Sequence, residues 1–198
     1  MRLPEGDEHF VGWPEQKGYQ FKKYAFFREH FIRRGLSCAI DVGAHVGYWT
    51  NHMAMDFDVI HSFEPISENY RCLLENKPDK CIAYNFGLGI REEEKTLYLG
   101  SRTNSGAWSS EKGDREIEET IQLRTLDSFE LEPDLIKIDV EGSQRAVLIG
   151  ATETLKRCKP TIIVEVEDEN RKRKVTKFLK DLGASLARNY GKDCMYQW

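Results

Sequence analysis

Cys38-Ala39-Ile40-Asp41-Val42-Gly43-Ala44-His45-Val46-Gly47-Tyr48-Trp49 is the stretch from which the rest of this chain is read. A short apolar run ends in Asp-Val, the backbone turns through Gly-Ala-His-Val-Gly, and a helical pattern follows. That order predicts a strand, a tight glycine turn and a helix N-terminus, where free N–H groups can meet a polar ligand. Glycine suits such a turn because a side chain would block backbone approach or resist a positive φ. A dinucleotide fingerprint needs glycine at its first, third and sixth places. Here those places hold Gly43, His45 and Tyr48. The spacing is G-x-x-x-G, which reads either as a ligand turn of another kind or as a plain strand-to-helix connection.

The chain around this stretch has the length of one domain, 198 residues, with 40% hydrophobic and 31% charged residues. A net charge of −4 gives no global basic field for nucleic acid or membrane binding. No apolar run approaches the ~20 residues of a membrane span, and the acidic, polar start of the chain is not a signal peptide. The five cysteines are scattered without C-x-x-C, as expected of a reduced, cytoplasmic protein with no structural zinc. Residues 1–35 read as an irregular arm followed by a helix over Tyr19–Arg34, laid over one edge of the fold. In that helix Phe21, Tyr24, Ala25, Phe31 and Ile32 recur at helical spacing and Gly35 suits the cap. Residues 36–198 form the main domain.

Working outward, a helix is predicted over about 47–56, and Val59–Phe63 is the second strand. It ends in Glu64-Pro65, and Pro65 opens a helix over about 66–75. Glu64 lies about 20 residues beyond Gly43, where a doubly wound fold places an acid against ribose hydroxyls; the alternative is a solvated strand-end acid. Cys81–Asn85 reads as a third strand. Asn85 can offer its amide to an adenine edge and Gly87 lets the base approach the backbone, although an Asx-type turn explains Asn85 as well. Between 92 and 127 the βα rhythm breaks into two extended segments, Thr96–Leu99 and Thr120–Leu123, around a polar loop. Ser105 and Trp108 in that loop are candidates to bind the substrate, since loops on a rigid scaffold often do so; Trp108 packing onto the body is the competing reading. The charge clusters 91–95 and 111–119 read as solvated edges.

Leu135–Gly142 is the fourth strand, with Lys137, Asp139 and Glu141 on one face. Its carboxyl end should face the crevice beside the first strand. A helix to Ile149 with Gly150 past its end, a fifth strand Thr161–Glu167, an amphipathic helix Asn170–Leu182 capped by Gly183, and a hairpin of 184–188 and 193–197 complete an α/β, doubly wound sheet. The hairpin adds an antiparallel strand to an otherwise parallel sheet.

Three segments, Ile40–Gly47, Phe63-Glu64-Pro65 and Ile138-Asp139-Val140-Glu141-Gly142 running on to Val147–Ala151, together with Thr125-Leu126-Asp127 and Pro160–Glu165, resemble the FkbM-type methyltransferases. The resemblance covers roughly residues 38–167. It implies a Rossmann-like class I fold with a seven-stranded sheet, S-adenosylmethionine (SAM) as methyl donor, and a hydroxyl acceptor on a small molecule or sugar. Carried onto this sequence, the cofactor would meet Asp41, Gly43, Ala44, His45, Gly47 and Trp49 around the first turn. It would also meet Glu64, Pro65, Asn85, Gly87 and Asp139. The chain departs from the family in two places: His45 stands where Asn is common, and Phe86-Gly87-Leu88-Gly89 replaces the usual Ala-Leu-Gly.

Methyl transfer to an alcohol or phenol needs an in-line nucleophile and removal of its proton. Asp139, Glu141 and Glu165 are the candidate catalytic carboxylates. They could take a proton, act by charge beside the sulfonium, join Glu167 around Mg²⁺, or merely pair with Lys137; a metal-free site is the expectation. A methyltransferase fold kept as a binding module, or a dinucleotide-dependent oxidoreductase, are the alternatives.

Overall fold

The five strands β1 (Cys38–Val42), β2 (Val59–Phe63), β3 (Cys81–Tyr84), β7 (Leu135–Ile138) and β8 (Thr161–Glu165) run parallel and carry the core. The computed structural model describes residues 1–8, 19–32, 36–109 and 112–198. The predicted Gly35 cap lies outside the described residues. β9 (Ser185–Tyr190) and β10 (Asp193–Gln197) close the sheet, giving the order β3-β2-β1-β7-β8-β10-β9 with β10 antiparallel to both neighbours. β4 (Gly87–Leu88), β5 (Glu93–Leu99) and β6 (Ile117–Arg124) form a separate three-stranded sheet in the order β4-β6-β5. The charge clusters read as solvated edges are therefore partly strand: Glu93, Glu94 and Lys95 pair with Leu123, Gln122 and Ile121.

The helices are α1 (Tyr19–Phe31), α2 (Tyr48–Met53), α3 (Ser67–Asn76), α4 (Gln144–Ile149), α5 (Thr152–Cys158) and α6 (Glu169–Asp181). Alternation along the strands divides the core between two faces. Ile40, Val42, Ile136, Ile138, Ile162 and Val164 pack with Val147, Leu155, Val175 and Leu179 of α4, α5 and α6. Ala39, Leu135, Ile163 and Met195 pack with Tyr24, Phe27, Trp49 and Met53 of α1 and α2. Burying each such large apolar side chain contributes roughly 1.5–3 kcal/mol before entropy is counted.

α1 lies over this face of the sheet and reaches its edge strand β9, where Phe26 meets Tyr190 with ring centroids 5.2 Å apart. The inward stripe of α1 matches the predicted one in part: Tyr24 and Phe31 are buried as expected, Phe27 and Lys23 join them, and Phe21, 45% exposed, and Ile32, 37% exposed, do not. The buried lysine interrupts the apolar pattern, so periodicity alone caught only part of the stripe. Arg28 and Tyr24 anchor the helix by donating to the Asp56 carboxylate, Tyr24 at 2.6 Å.

The helix after β7 ends at Ile149 with Gly150 past it, as expected, and a second short helix, α5, follows where none was expected. The break is at Gly150, where an added Cβ would sit 1.9 Å from the Gly89 carbonyl oxygen, so this glycine marks a close backbone crossing. Asp127 then caps α5 from outside the helix, accepting from Thr154 N at 2.8 Å and Glu153 N at 3.1 Å. The Phe86 departure has a packing reason. Its ring joins Phe63, Tyr84 and Phe129, stacking on Phe129 with centroids 5.6 Å apart. None of the described helices is long and apolar enough to cross a membrane.

Candidate active site

Parallel strands deliver their carboxyl ends to one rim, and the chain leaving β1 turns there. Gly43 has φ +78° and donates to Phe63 O at 2.9 Å; an added Cβ would lie 1.9 Å from Asp139 O. The protein's own backbone therefore demands this glycine before any ligand does. Ala44 N also donates to Phe63 O, at 3.1 Å, and Gly47 N to Ala44 O, at 2.8 Å. Gly47, at φ +96°, would bring a Cβ within 2.9 Å of Leu73. The amides of 43, 44, 45 and 47 are thus spent inside the protein, where free donors were expected. His45 sits at φ 51°, a conformation that Asn and His tolerate better than most residues, which accounts for His standing in place of Asn.

Glu64 is buried, not solvated. Its Oε2 accepts from His45 N at 2.8 Å, and its Oε1 accepts from Ile66 N at 3.0 Å and Asn69 Nδ2 at 3.4 Å. It ties the glycine turn to the start of α3. Burial pushes its carboxyl up to about 7, against the pull of those hydrogen bonds. Asn85 points its amide at the backbone, donating to Glu64 O at 3.0 Å and Pro65 O at 3.1 Å.

The loop after β5 folds over this turn. Ser105 Oγ lies 2.7 Å from His45 Nε2, and Asn69 Nδ2 donates to Ser105 O at 3.1 Å. Asp7, from the N-terminal arm, accepts from both the Ser105 amide and its hydroxyl. Asp7 carried no signal in the sequence.

Beneath the rim lies a charged layer on the α1 face. Register places Asp41 beside Lys137 and Glu165 beside Asp193. Lys137, fully buried, pairs with Asp139 at 3.1 Å, so one bland reading of Asp139 is correct as far as contact goes. Burial opposes the Asp139 charge, but the Lys137 and Lys23 ammoniums hold its carboxyl below the usual aspartate range. Burial and Asp139 push Glu165 the other way, upward. Glu141, exposed at the mouth, is raised to about 7 by desolvation and by Glu167, Asp139 and Glu165 around it. Among the described residues no group of three or more His, Cys, Asp or Glu is gathered to hold a metal ion.

A cavity of about 280 Å³ opens between these parts. It brings together Gly43, His45, Glu64, Pro65, Gly87, Trp108, Asp139 and Glu141, with Leu97, Ile121 and Leu123 of the small sheet as an apolar wall. Asp41, Ala44, Gly47, Trp49, Asn85, Ser105 and Glu165 do not line it. Asp41 lies below, taking a 2.7 Å hydrogen bond from Thr50 Oγ1. Trp49 belongs to the core, edge-on to Tyr24 at 5.7 Å and under Lys137 Nζ at 5.2 Å. Lys23 and Asp193 are the charged partners that sequence reading missed. Only Lys137 carried a signal, a lysine between two isoleucines in a buried strand.

The family model described as the Methyltransferase FkbM domain matches residues 41–191. The chain belongs to the FkbM methyltransferase family. Its seven-stranded, mostly parallel sheet is that of a class I methyltransferase fold, the fold of its structural neighbours. An FkbM methyltransferase from Methylobacillus flagellatus KT superposes with a TM-score of 0.63 at 18% identity, over 87% of this chain and 46% of that one. This FkbM chain therefore spans less than half the length of that relative. A precorrin 8W decarboxylase from Methanobacterium thermoautotrophicum aligns over 100% of both chains, with a TM-score of 0.56 and 14% identity. A precorrin-6y C5,15-methyltransferase from Geobacter metallireducens GS-15 follows at 0.55 and 12%, over 89% and 87%. At these identities the likeness shows the fold. No curated protein matches the sequence.

Proposed function

We propose that this FkbM protein transfers a methyl group from SAM to a hydroxyl oxygen of a small molecule or sugar. The observation that carries the reading is the cavity itself, where the glycine turn, Glu64, Asp139 and Glu141 converge at the carboxyl ends of β1, β2 and β7. The residues fit the cofactor. Glu64 is a buried carboxylate on the cavity wall, and among the described residues its Oε2 accepts a single N–H, which leaves capacity for a ribose hydroxyl. Gly87, Ile66 and Leu123 offer a flat, apolar place for a base. When bound, SAM supplies an electrophilic methyl on a sulfonium.

The chain's own residues divide the remaining work. Asp139, kept ionised by Lys137, places a negative charge in the cavity that favours a cationic ligand. Glu141 has a carboxyl raised to about 7, near the pH at which a general base works best. It would take the acceptor's hydroxyl proton on a carboxylate oxygen, without a divalent ion. Glu165, outside the cavity, pairs with Lys23 at 3.4 Å and its charge helps to raise Glu141. Trp108 and the wall of β5 and β6 face the space left for the acceptor. The net charge of −4 favours a small acceptor over nucleic acid, and the five free thiols fit a reducing cytoplasm.

Calorimetry with SAM, with NAD as the control, tests the cofactor. S-adenosylhomocysteine release across a panel of sugars and hydroxylated small molecules tests the transfer. Heat with SAM and product with at least one hydroxyl acceptor is the expected result. Absence of SAM binding, or binding of NAD in its place, overturns the reading.

A further inference from the structure

α1 and β10 contribute two residues, Lys23 and Asp193, that lie outside the family-matched segment 41–191 and meet beneath the cavity. Lys23 Nζ is 2.6 Å from Asp193 Oδ2 and 3.4 Å from Glu165 Oε2. Lys137 Nζ is 3.1 Å from Asp139 Oδ2 and 3.8 Å from Asp193 Oδ1. Asp193 and Lys137 are fully buried and Lys23 nearly so. A carboxylate withdrawn from water keeps its charge only with a counter-charge at hand. Asp193 stands between two ammoniums and has the closer contact with Lys23. Remove Lys23, and Lys137 becomes the cation that Asp193 must claim.

We propose that Lys23 is a positioning residue of the candidate active site: by occupying Asp193 it leaves Lys137 to hold Asp139 at the cavity. The proposal rests on the reading of Asp139 as a working group of the methyl-transfer site. The charges that face Asp139 are Lys137 from β7, Lys23 from α1, Glu165 from β8, Asp193 from β10, Asp41 from β1 and Glu141 two residues on. Two cations serve five carboxyl groups, Asp139 included, so the loss of one cation is felt at Asp139. An opposite charge within about 4–6 Å shifts a carboxylate by about one to three pH units.

Carboxyl-carbon NMR titration of the ligand-free protein reads this directly, without relying on turnover. In the wild type, Asp139 should titrate below the ordinary aspartate range. In Lys23→Met its midpoint should rise by about one unit or more. In Lys23→Met/Asp193→Asn, where Lys137 has no rival carboxylate at that position, the midpoint should return towards the wild-type value. A midpoint unmoved in folded Lys23→Met, or as high in the double variant as in the single one, overturns the proposal. Should Lys23→Met fail to fold, the other two proteins decide. Ordinary titration of Asp139 in the wild type, or a raised midpoint in the double variant, is equally fatal. Calorimetry with SAM keeps the two readings apart. No heat from a protein that titrates as described sinks the methyl-transfer reading and leaves the ion network standing.

Discussion

Glu64 joins the glycine turn to α3 through His45 N and Ile66 N, so its loss would disturb ligand and loop together. Losing a charged hydrogen-bonding partner costs on the order of 1.5–3 kcal/mol. Glu64→Ala should therefore weaken SAM binding about tenfold or more, as read by calorimetry; unchanged affinity in the folded variant would remove Glu64 from the site. The position was legible because an acid at a strand end, followed by proline, is a local pattern. Its burial was not, since that depends on Asn69 and the loop above. Glu141 carries a different expectation. With its carboxyl raised to about 7, it is mostly protonated below that pH and cannot accept a proton. Methyl-transfer kcat/KM should rise as pH increases through about 7, and Glu141→Gln should be slow with that limb abolished. A wild-type profile in Glu141→Gln would assign the proton elsewhere.

Among the elements, the β1–α2 turn has a structural requirement that precedes its ligand. Gly43→Val adds a side chain at φ +78°, where it meets the Asp139 carbonyl. Strain in that region costs of order 1–3 kcal/mol, and the clash adds to it, so a loss of roughly 3 kcal/mol or more is expected in urea unfolding. A stable Gly43→Val would show that the turn can relax. Sequence reading placed the glycine, for ligand approach or a positive φ, but could not see the Asp139 carbonyl against it, because the close approach of the turn after β1 to the end of β7 is not written in either segment. α5 went unnoticed for a similar reason: its cap, Asp127, lies well before it in the chain. Asp127→Ala should cost about 1 kcal/mol of stability, within the usual range for a helix cap, and leave SAM affinity unchanged.

Across the molecule, the N-terminal segment and the loop after β5 close over the glycine turn as a pair. Arg2 N donates to Asn76 Oδ1 at 2.6 Å, Glu8 N to Thr103 O at 3.0 Å, and Asp7 holds the Ser105 amide at 3.0 Å. Asp7→Ala should therefore speed hydrogen exchange at Ser105 and its neighbours in 101–109, while amides of β1 and β7 keep their protection. Equal exchange in wild type and variant would mean that the loop is held by its other contacts, such as Glu8 N to Thr103 O and Asn69 to Ser105 O, without need of Asp7.

The sequence by itself determined the alternation of strands and helices, the glycine turn, the acid before Pro65, the acids after β7 and the family. Each of these is a pattern among neighbours along the chain, where side-chain period, turn chemistry and strand-end polarity act over a few residues. Only the tertiary structure decided that Lys23 is buried, that Trp49 belongs to the core, and that Asp193 stands between two lysines. It also placed Asp7 on the loop above His45. These depend on which strands lie side by side and which helix covers them. A lysine in a helix or an aspartate in a hairpin looks solvated until packing removes the water, and the charge it then needs comes from a distant part of the chain.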